Sequence, residues 1–517
     1  MLLGSRGADP RGRTAPRPRR RARRPRDLPR RRLLRPDRQR RLSHLGQSGS
    51  GRSPGERGRG LGLESGQRSV RGDRARRTEG AVPSGHALPR DPARRWEPLR
   101  LHVATVTERI ERTLEEEATT WGIRPVPPEH RKLSGLDFGV LWGDLAIGLL
   151  VLVTGAFLVP ALGFPRALLA IGVGSVVGCI PLALVGLAGA REGVPGMVLF
   201  RPVLGIRGSY VPSVFNIVQL VGWTGFEFWA MSLVASRLFS SLSSYWLWLP
   251  AVVVVSTALA LGGPILVIRR WLERFGAWVV AGVAAWITIR LLTTANLGSL
   301  WHRPGQGGLP FWLAVDLVIV MPVSWLPLVA DYNRFARRGV SSAAGTFWGY
   351  AIGNAWFYAL GALLVLGAGL SDTSPVGIGQ SIASLAGGWI VLLALLVGET
   401  DEAFADIYSA AVSSQNLESR IPQRAAIVLV SAAGTGLAVW LGLRRPVALG
   451  TYESFLFLMG SVFVPLFGVF VADYFLLGRR GRFTQELFDR RARRTAGPGL
   501  NVPAIAAWIL GFLIYQW

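Results

Sequence analysis

The run Gly398-Glu399-Thr400-Asp401-Glu402-Ala403-Phe404-Ala405-Asp406 sets four carboxylates inside a stretch, 386–412, that is otherwise apolar enough to cross a bilayer. Each charge at a membrane centre costs about 2.5–3.5 kcal/mol on insertion scales, so four of them must face water, a cation or a ligand. On a regular helix Glu399, Glu402 and Asp406 share one face, while Asp401 points elsewhere. Such a group can bind Na+ through hard oxygen ligands or carry a proton. With Thr400 it forms the first candidate for cation coupling. Asp144, in Trp142-Gly143-Asp144 one turn inside the edge of the first apolar run, is a second.

Chemistry for an organic ligand lies elsewhere. In the third apolar run Asn216, Gln219, Trp223 and Glu227 recur at three- and four-residue steps, hence on one helical face. An aromatic plate beside a carboxylate suits a flat, hydrogen-bonding heterocycle: the ring stacks on the indole, and the acid accepts from ring or exocyclic N–H groups. For Asn216 and Gln219 the plainer role is helix–helix hydrogen bonding. In the sixth run Pro322 and Pro327 bracket Ser324 and Trp325. Two prolines five residues apart predict a broken helix near mid-membrane, where freed backbone groups can meet substrate and ion; a mere kink is the alternative. Asp331 and Arg334 read as a structural pair at the membrane boundary, and Asp316 and Asn354 as structural polar residues.

These residues need membrane helices to hold them. Half of the 517 residues are apolar, with 63 Gly and 32 Pro. Apolar runs near 138–160, 166–190, 211–236, 246–268, 276–296, 310–330, 345–370, 386–412, 425–443, 452–477 and 502–517 predict an all-α polytopic membrane protein of eleven spans. Alternate loops carry Arg191, Arg201 and Arg207, then Arg269, Arg270 and Arg274, Arg334, Arg337 and Arg338, Arg420 and Arg424, and the cluster from Arg479 to Arg494. That bias predicts a cytoplasmic N-terminus in a bacterial-type plasma membrane. The odd count and the ending at Trp517 suggest a missing twelfth span.

The net charge of +26 belongs mostly to the first hundred residues, where 29 Arg and 9 acids leave +20. This segment, 1–102, is rich in Arg, Pro, Gly and Ser and reads as disordered. An Arg-rich arm can bind nucleic acid or serve as a targeting peptide. Arg without Lys is also what GC-rich DNA yields upstream of a true start, and the whole chain holds one Lys, Lys132. The expectation is a mis-called start, with Val103 or Val106 as initiator. Residues 103–136 form a lead-in, with a short amphipathic helix at 107–121, and 137–517 the membrane domain. One cysteine, Cys179, offers no disulfide framework. The five His do not space as metal ligands and no phosphate-binding loop occurs, so neither an enzyme nor a cofactor is expected.

The stretch Gly122-Ile123-Arg124-Pro125-Val126-Pro127, Arg131-Lys132-Leu133-Ser134 and Trp142 resembles the start of the nucleobase–cation symporter-1 family, the purine/cytosine permeases. Phe200-Arg201-Pro202, Gly205-Ile206-Arg207-Gly208, Trp223 with Glu227, and Asp331-Tyr332-Asn333-Arg334-Phe335 continue the resemblance over about 121–517, nearest to the cytosine and hydroxymethylpyrimidine branch. It implies a leucine-transporter-type fold: two five-helix inverted repeats, further helices after them, and first and sixth helices broken around a central site. Trp223 matches the family's base-stacking aromatic, and Ser324 a polar contact position. Glu227 stands where a Gln is frequent, which favours aminopyrimidines. The sixth-span aromatic of the family aligns near Pro322 instead of Trp325, and an Asn/Thr-rich site is replaced by the acidic run. Na+ coupling therefore does not transfer directly, and Na+ or H+ stays open.

The reading is a cation-coupled importer of a nucleobase or aminopyrimidine working by alternating access. Trp223, Glu227, Ser324 and Trp325 form the substrate site, backed by Asn216 and Gln219. Asp144, Glu399, Thr400, Glu402 and Asp406 are the ion candidates. The partners are the bilayer and a small base, not nucleic acid, and the oligomeric state is open. The rivals are an amino-acid transporter of the same fold and a membrane-tethered nucleic-acid binder.

Overall fold

The structure, a computed structural model, describes residues 121–238, 244–263, 276–370, 372–385, 387–478, 487–488 and 499–517. The Arg-rich segment, the amphipathic helix expected at 107–121, Arg269, Arg270, Arg274 and the arginines of 479–494 lie outside the described residues. Among those described, eight helices are long and apolar enough to cross a membrane, and one bent pair makes a ninth.

That pair is the first span. Helix α1 (Gly135–Asp144) starts at a capping box: Ser134 Oγ accepts from Asp137 N, and the Asp137 carboxylate accepts from Ser134 N at 2.8 Å. It ends at Asp144, and α2 (Leu149–Phe157) leaves at 61° to it. There follow α3 (Phe164–Glu192), α4 (Tyr210–Leu238), α5 (Tyr245–Gly262) and α6 (Ala277–Thr294). A second broken span then opens the same order again. In it α7 (Phe311–Ser324) and α8 (Val329–Asn333) are separated at Trp325–Leu328, as the two prolines predict. The break interrupts the helix without a sharp bend, so 311–333 still passes as one span.

Next come α9 (Gly339–Ala368), a peripheral α10 (Pro375–Ser384), α11 (Gly388–Leu417), α12 (Gln423–Leu443), α13 (Arg445–Val471) and the shorter α14 (Val502–Gln516). The broken span α1–α2 thus leads α3 to α6, and α7–α8 leads α9 and α11 to α13, with the charged α11 added to the nine spans counted by length and composition and α14 following.

Burial explains where charge is tolerated. In α4 and in 311–333, 83% of the apolar window is buried, against 22% in α5 and α6, which carry much of the lipid-facing surface. Helix α11 runs unbroken through its acids, and from Gly398 to Asn416 nearly every side chain is buried in protein; only Trp389, Ile390 and Leu393 near its start are exposed large apolar residues. The acids therefore never meet lipid. Interhelical hydrogen bonds tie α4 to α11: Asn216 Nδ2 donates to Ser413 Oγ at 2.8 Å, and Asn416 Nδ2 to Ser213 Oγ at 2.8 Å.

Helices α1 and α9 meet backbone to backbone. Gly135, Gly139 and Gly143 lie against Gly345, Gly349 and Gly353, and a Cβ on any of the last three would strike a carbonyl oxygen of the first three. Small residues at four-residue spacing allow this approach.

The lead-in is strapped across the ends of α3 and α8. Leu133 N donates to Phe335 O at 3.0 Å and Arg337 N to Leu133 O at 2.9 Å. The Arg131 guanidinium donates to Val126 O at 2.9 Å and Ala190 O at 3.1 Å.

Candidate functional site

Between the two broken spans lies a narrow internal cavity. Its walls include Trp223 and Glu227 from α4, Ser324 and Trp325 from the end of α7, Tyr350 from α9, and Glu402 and Asp406 from α11. Leu145, Leu150, Val151 and Met321 complete the lining. Five elements far apart in sequence thus deliver an aromatic and acidic chamber at the broken helices.

Its aromatic walls are braced. The Trp223 ring meets Tyr452 edge-on at 6.0 Å and Phe455 at 5.2 Å, and T-shaped contacts of this kind fix ring orientation. Trp325 meets Trp142 edge-on at 5.7 Å. Trp142 in turn donates to Asn333 Oδ1 at 3.0 Å, and Asn333 Nδ2 donates to Ser342 and Thr346 hydroxyls at 2.8 and 2.9 Å. The Ser324 hydroxyl donates to Met321 O at 2.7 Å, so toward the cavity it can act as an acceptor.

Two polar atoms of the lining have no protein partner: Trp223 Nε1 and Glu227 Oε2, on side chains 7% and 1% exposed. Glu402 Oε1 is a third. Buried polar atoms are paired as a rule, so a donor and acceptors left open on one cavity are what a hydrogen-bonding ligand would satisfy. The Glu227 and Asp406 side chains, 1% and 2% exposed, line this same cavity.

Not every sequence candidate reaches the cavity. Asn216 and Gln219 stand behind it: Gln219 Nε2 donates to Asn216 Oδ1 at 2.8 Å and to the Ser324 carbonyl at 3.1 Å, so the amides position α7 instead of lining the site. Thr400 is half-buried and its hydroxyl returns to Val397 O at 2.6 Å, within its own helix. Asp144 lies at the break but lines a separate groove with Ile147, Trp278, Trp348 and Trp356.

Glu399 has a different task. It accepts from Leu149 N, capping the start of α2. Gly148 permits this, because a Cβ there would strike the Glu399 and Glu402 carboxylates. Arg334 and Asp331 are joined through the backbone, Arg334 Nε donating to the Asp331 carbonyl at 3.1 Å. Asp331 Oδ1 accepts from Gly196 N at 2.7 Å, while Arg334 donates to Gly122 O and to the Tyr408 hydroxyl. Asp316 and Asn354 are structural, joined to Tyr515 at 2.6 Å and Ser175 at 2.9 Å. Among the described residues no three acidic, His or Cys side chains are arranged to hold a metal ion.

Tyr350, Tyr452 and Trp142 were missed as site residues. A lone aromatic in an apolar run carries no positional signal, whereas the glycine ladders of α1 and α9 are visible at spacing four.

Residues 125–517 match the family described as permease for cytosine/purines, uracil, thiamine, allantoin. The chain is 22% identical over 420 residues to the hydantoin permease of Microbacterium maritypicum, covering 75% of this chain and 82% of that one. It is 24% identical over 394 residues to the cytosine permease of Escherichia coli (strain K12), covering 76% and 88%. Among solved structures it is similar to Mhp1, a nucleobase–cation–symport-1 family transporter in a closed conformation with bromovinylhydantoin bound, at TM-score 0.65 and 18% identity, covering 76% of this chain and 93% of that one. The fold is thus that of the leucine-transporter type.

Proposed function

This chain belongs to the family of permeases for cytosine/purines, uracil, thiamine and allantoin, and on that premise we propose that it is a secondary active importer of a nucleobase or aminopyrimidine, coupled to inward movement of a cation. The observation that carries the reading is the cavity where Trp223, Glu227, Ser324, Trp325, Glu402 and Asp406 converge between two broken spans. A planar base stacks on the Trp223 indole, its N–H groups meet carboxyl oxygens, and its remaining polar edge meets the Ser324 hydroxyl. Broken helices are hinges at which one bundle can rock against the other, the basis of alternating access.

The amino-acid reading loses support at α2. A half-helix N-terminus is where the carboxylate of an amino-acid substrate docks in this fold; here Glu399 already occupies it. An anionic substrate would also face Glu227, Glu402 and Asp406.

The test is uptake of radiolabelled cytosine and hydroxymethylpyrimidine by the protein in liposomes, with and without imposed Na+ or pH gradients. Gradient-driven uptake that is lost in Trp223→Ala is expected. Uptake blocked by amino acids and not by bases would overturn the substrate class. The Arg bias further supports a cytoplasmic N-terminus, which sided thiol labelling of single cysteines in a Cys179→Ser background would check.

A further inference from the structure

We propose that the groove between α1, α6 and α9 is a second binding site, for a small lipophilic amine that reaches it from the bilayer and sets its ammonium group on Asp144. The site is distinct from the cavity between the broken spans and independent of what that cavity carries.

The groove holds about 280 Å3 and shares no lining residue with the central cavity. Its space exists because part of its wall has no side chains: Gly139 and Gly143 of α1 and Gly349 and Gly353 of α9 line it. Three indoles stand around it, Trp278 from α6 and Trp348 and Trp356 from α9. Trp278 and Trp348 are exposed, so the groove opens on the surface that faces lipid. Trp356 Nε1 donates to Thr288 Oγ1 of α6 at 2.9 Å, and the Trp348 ring is met edge-on by Phe347 at 5.0 Å. Both rings are thus braced before any ligand arrives.

One acidic group interrupts this lining. Asp144 is 5% exposed and faces the groove, and its Oδ2 has no hydrogen-bond partner among the described residues. Apart from the three indoles, the rest of the lining is aliphatic or glycine. Buried carboxyl oxygens are paired as a rule, so the open one calls for a donor from a ligand. A protonated amine meets both features at once. Its N–H donates to the carboxylate in a charge-assisted bond, and its charge is drawn to the indole faces. A quaternary ammonium would bring the charge without the N–H, and an alcohol would bring a donor without the charge.

Depth in the membrane decides the source of the amine. Asp144 ends α1, nine residues after Gly135, which is about 14 Å of helix at 1.5 Å per residue. That is close to half of the roughly 30 Å hydrocarbon core. Trp348 and Trp356 fall on either side of the middle of α9, which runs Gly339–Ala368. A phospholipid amine is held at the headgroup level and does not reach this depth, whereas a free amine with an apolar body does.

Binding is read on the full chain in phosphatidylcholine nanodiscs, with tritiated 4-phenylbutylamine as the probe and its neutral isostere 4-phenylbutanol as competitor. Saturable binding is expected, displaced by unlabelled amine and not by the alcohol at equal concentration. Asp144→Asn should weaken it about tenfold or more, the loss of a hydrogen bond to a charged group. Trp348→Leu, at an exposed position, should weaken it about two- to fivefold with the melting temperature unchanged. Absence of saturable binding, equal displacement by the alcohol, or unchanged affinity in Asp144→Asn overturns the proposal. Should Asp144→Asn fail to insert, Trp348→Leu decides, and unchanged affinity there overturns the site. Binding lost in Glu227→Gln and kept in Asp144→Asn places the amine among the acids of the central cavity and overturns it as well. Nanodiscs of phosphatidylethanolamine separate the two sources: if that lipid abolishes probe binding, its headgroup is the occupant and the free-amine site falls.

Discussion

Glu227 reaches the cavity with a buried carboxyl oxygen that meets nothing in the protein. The spacing of Asn216, Gln219, Trp223 and Glu227 put all four on one face, and the fold divides that face by depth. Trp223 and Glu227 reach the cavity, and the two amides hold α7 in place. For Trp223→Ala, loss of base stacking worth about 1–3 kcal/mol predicts apparent affinity weaker by roughly tenfold to a hundredfold, read from the concentration dependence of uptake. Gly148→Ala tests the opposite limit. Its methyl would push the Glu399 and Glu402 carboxylates off the start of α2. The expected result is loss of uptake with the protein still inserted; wild-type transport would contradict the close approach. Trp325, placed a turn from the family's usual aromatic, nonetheless lines the same cavity, because the break after Ser324 turns it inward.

The decisive elements are the two interrupted spans and the helices that hold them. Helix α1 has little choice of partner, because its glycine ladder leaves it only the matching ladder of α9. Gly349→Leu should therefore separate the pair, and overpacking of this kind costs about 1–3 kcal/mol. A lower melting temperature in detergent is expected, and an unchanged one would count against the tight crossing. At α2, Glu399→Leu removes the acceptor for Leu149 N. Loss of a cap costs about 0.5–2 kcal/mol, whereas Glu399→Gln keeps an acceptor and should recover most of the stability. The break in the seventh helix was legible from Pro322 and Pro327. The break after Asp144 had no proline to announce it in the residues themselves and came only with the family resemblance.

At the scale of the whole molecule, the lead-in strap closes one end of the transporter. Arg334 joins Gly122 to Tyr408 on α11, and Asp331 joins α8 to the start of the short helix Gly196–Leu199. Opening that end for substrate must break these bonds, since each holds a different part of the wall. Arg334→Ala is expected to raise thiol labelling of a cysteine placed at Ser324 from the strapped side; unchanged labelling would separate the strap from gating. The sequence by itself determined that this is an all-helical membrane protein, that α11 must be shielded from lipid, and to which family it is similar, while of the eleven expected spans eight, or nine with the bent pair, are long and apolar enough among the described residues. Those follow from local composition, because a polar group in hydrocarbon is penalised wherever it stands in the chain. Only the tertiary structure decided what each carboxyl does. Glu399, Glu402 and Asp406 share one helical face, yet one caps a helix, one faces the cavity with an open oxygen, and one lines that cavity with Glu227. Their partners come from α1, α2, α4 and α9, up to 250 residues away in sequence, and periodicity along one helix carries no record of what packs against it.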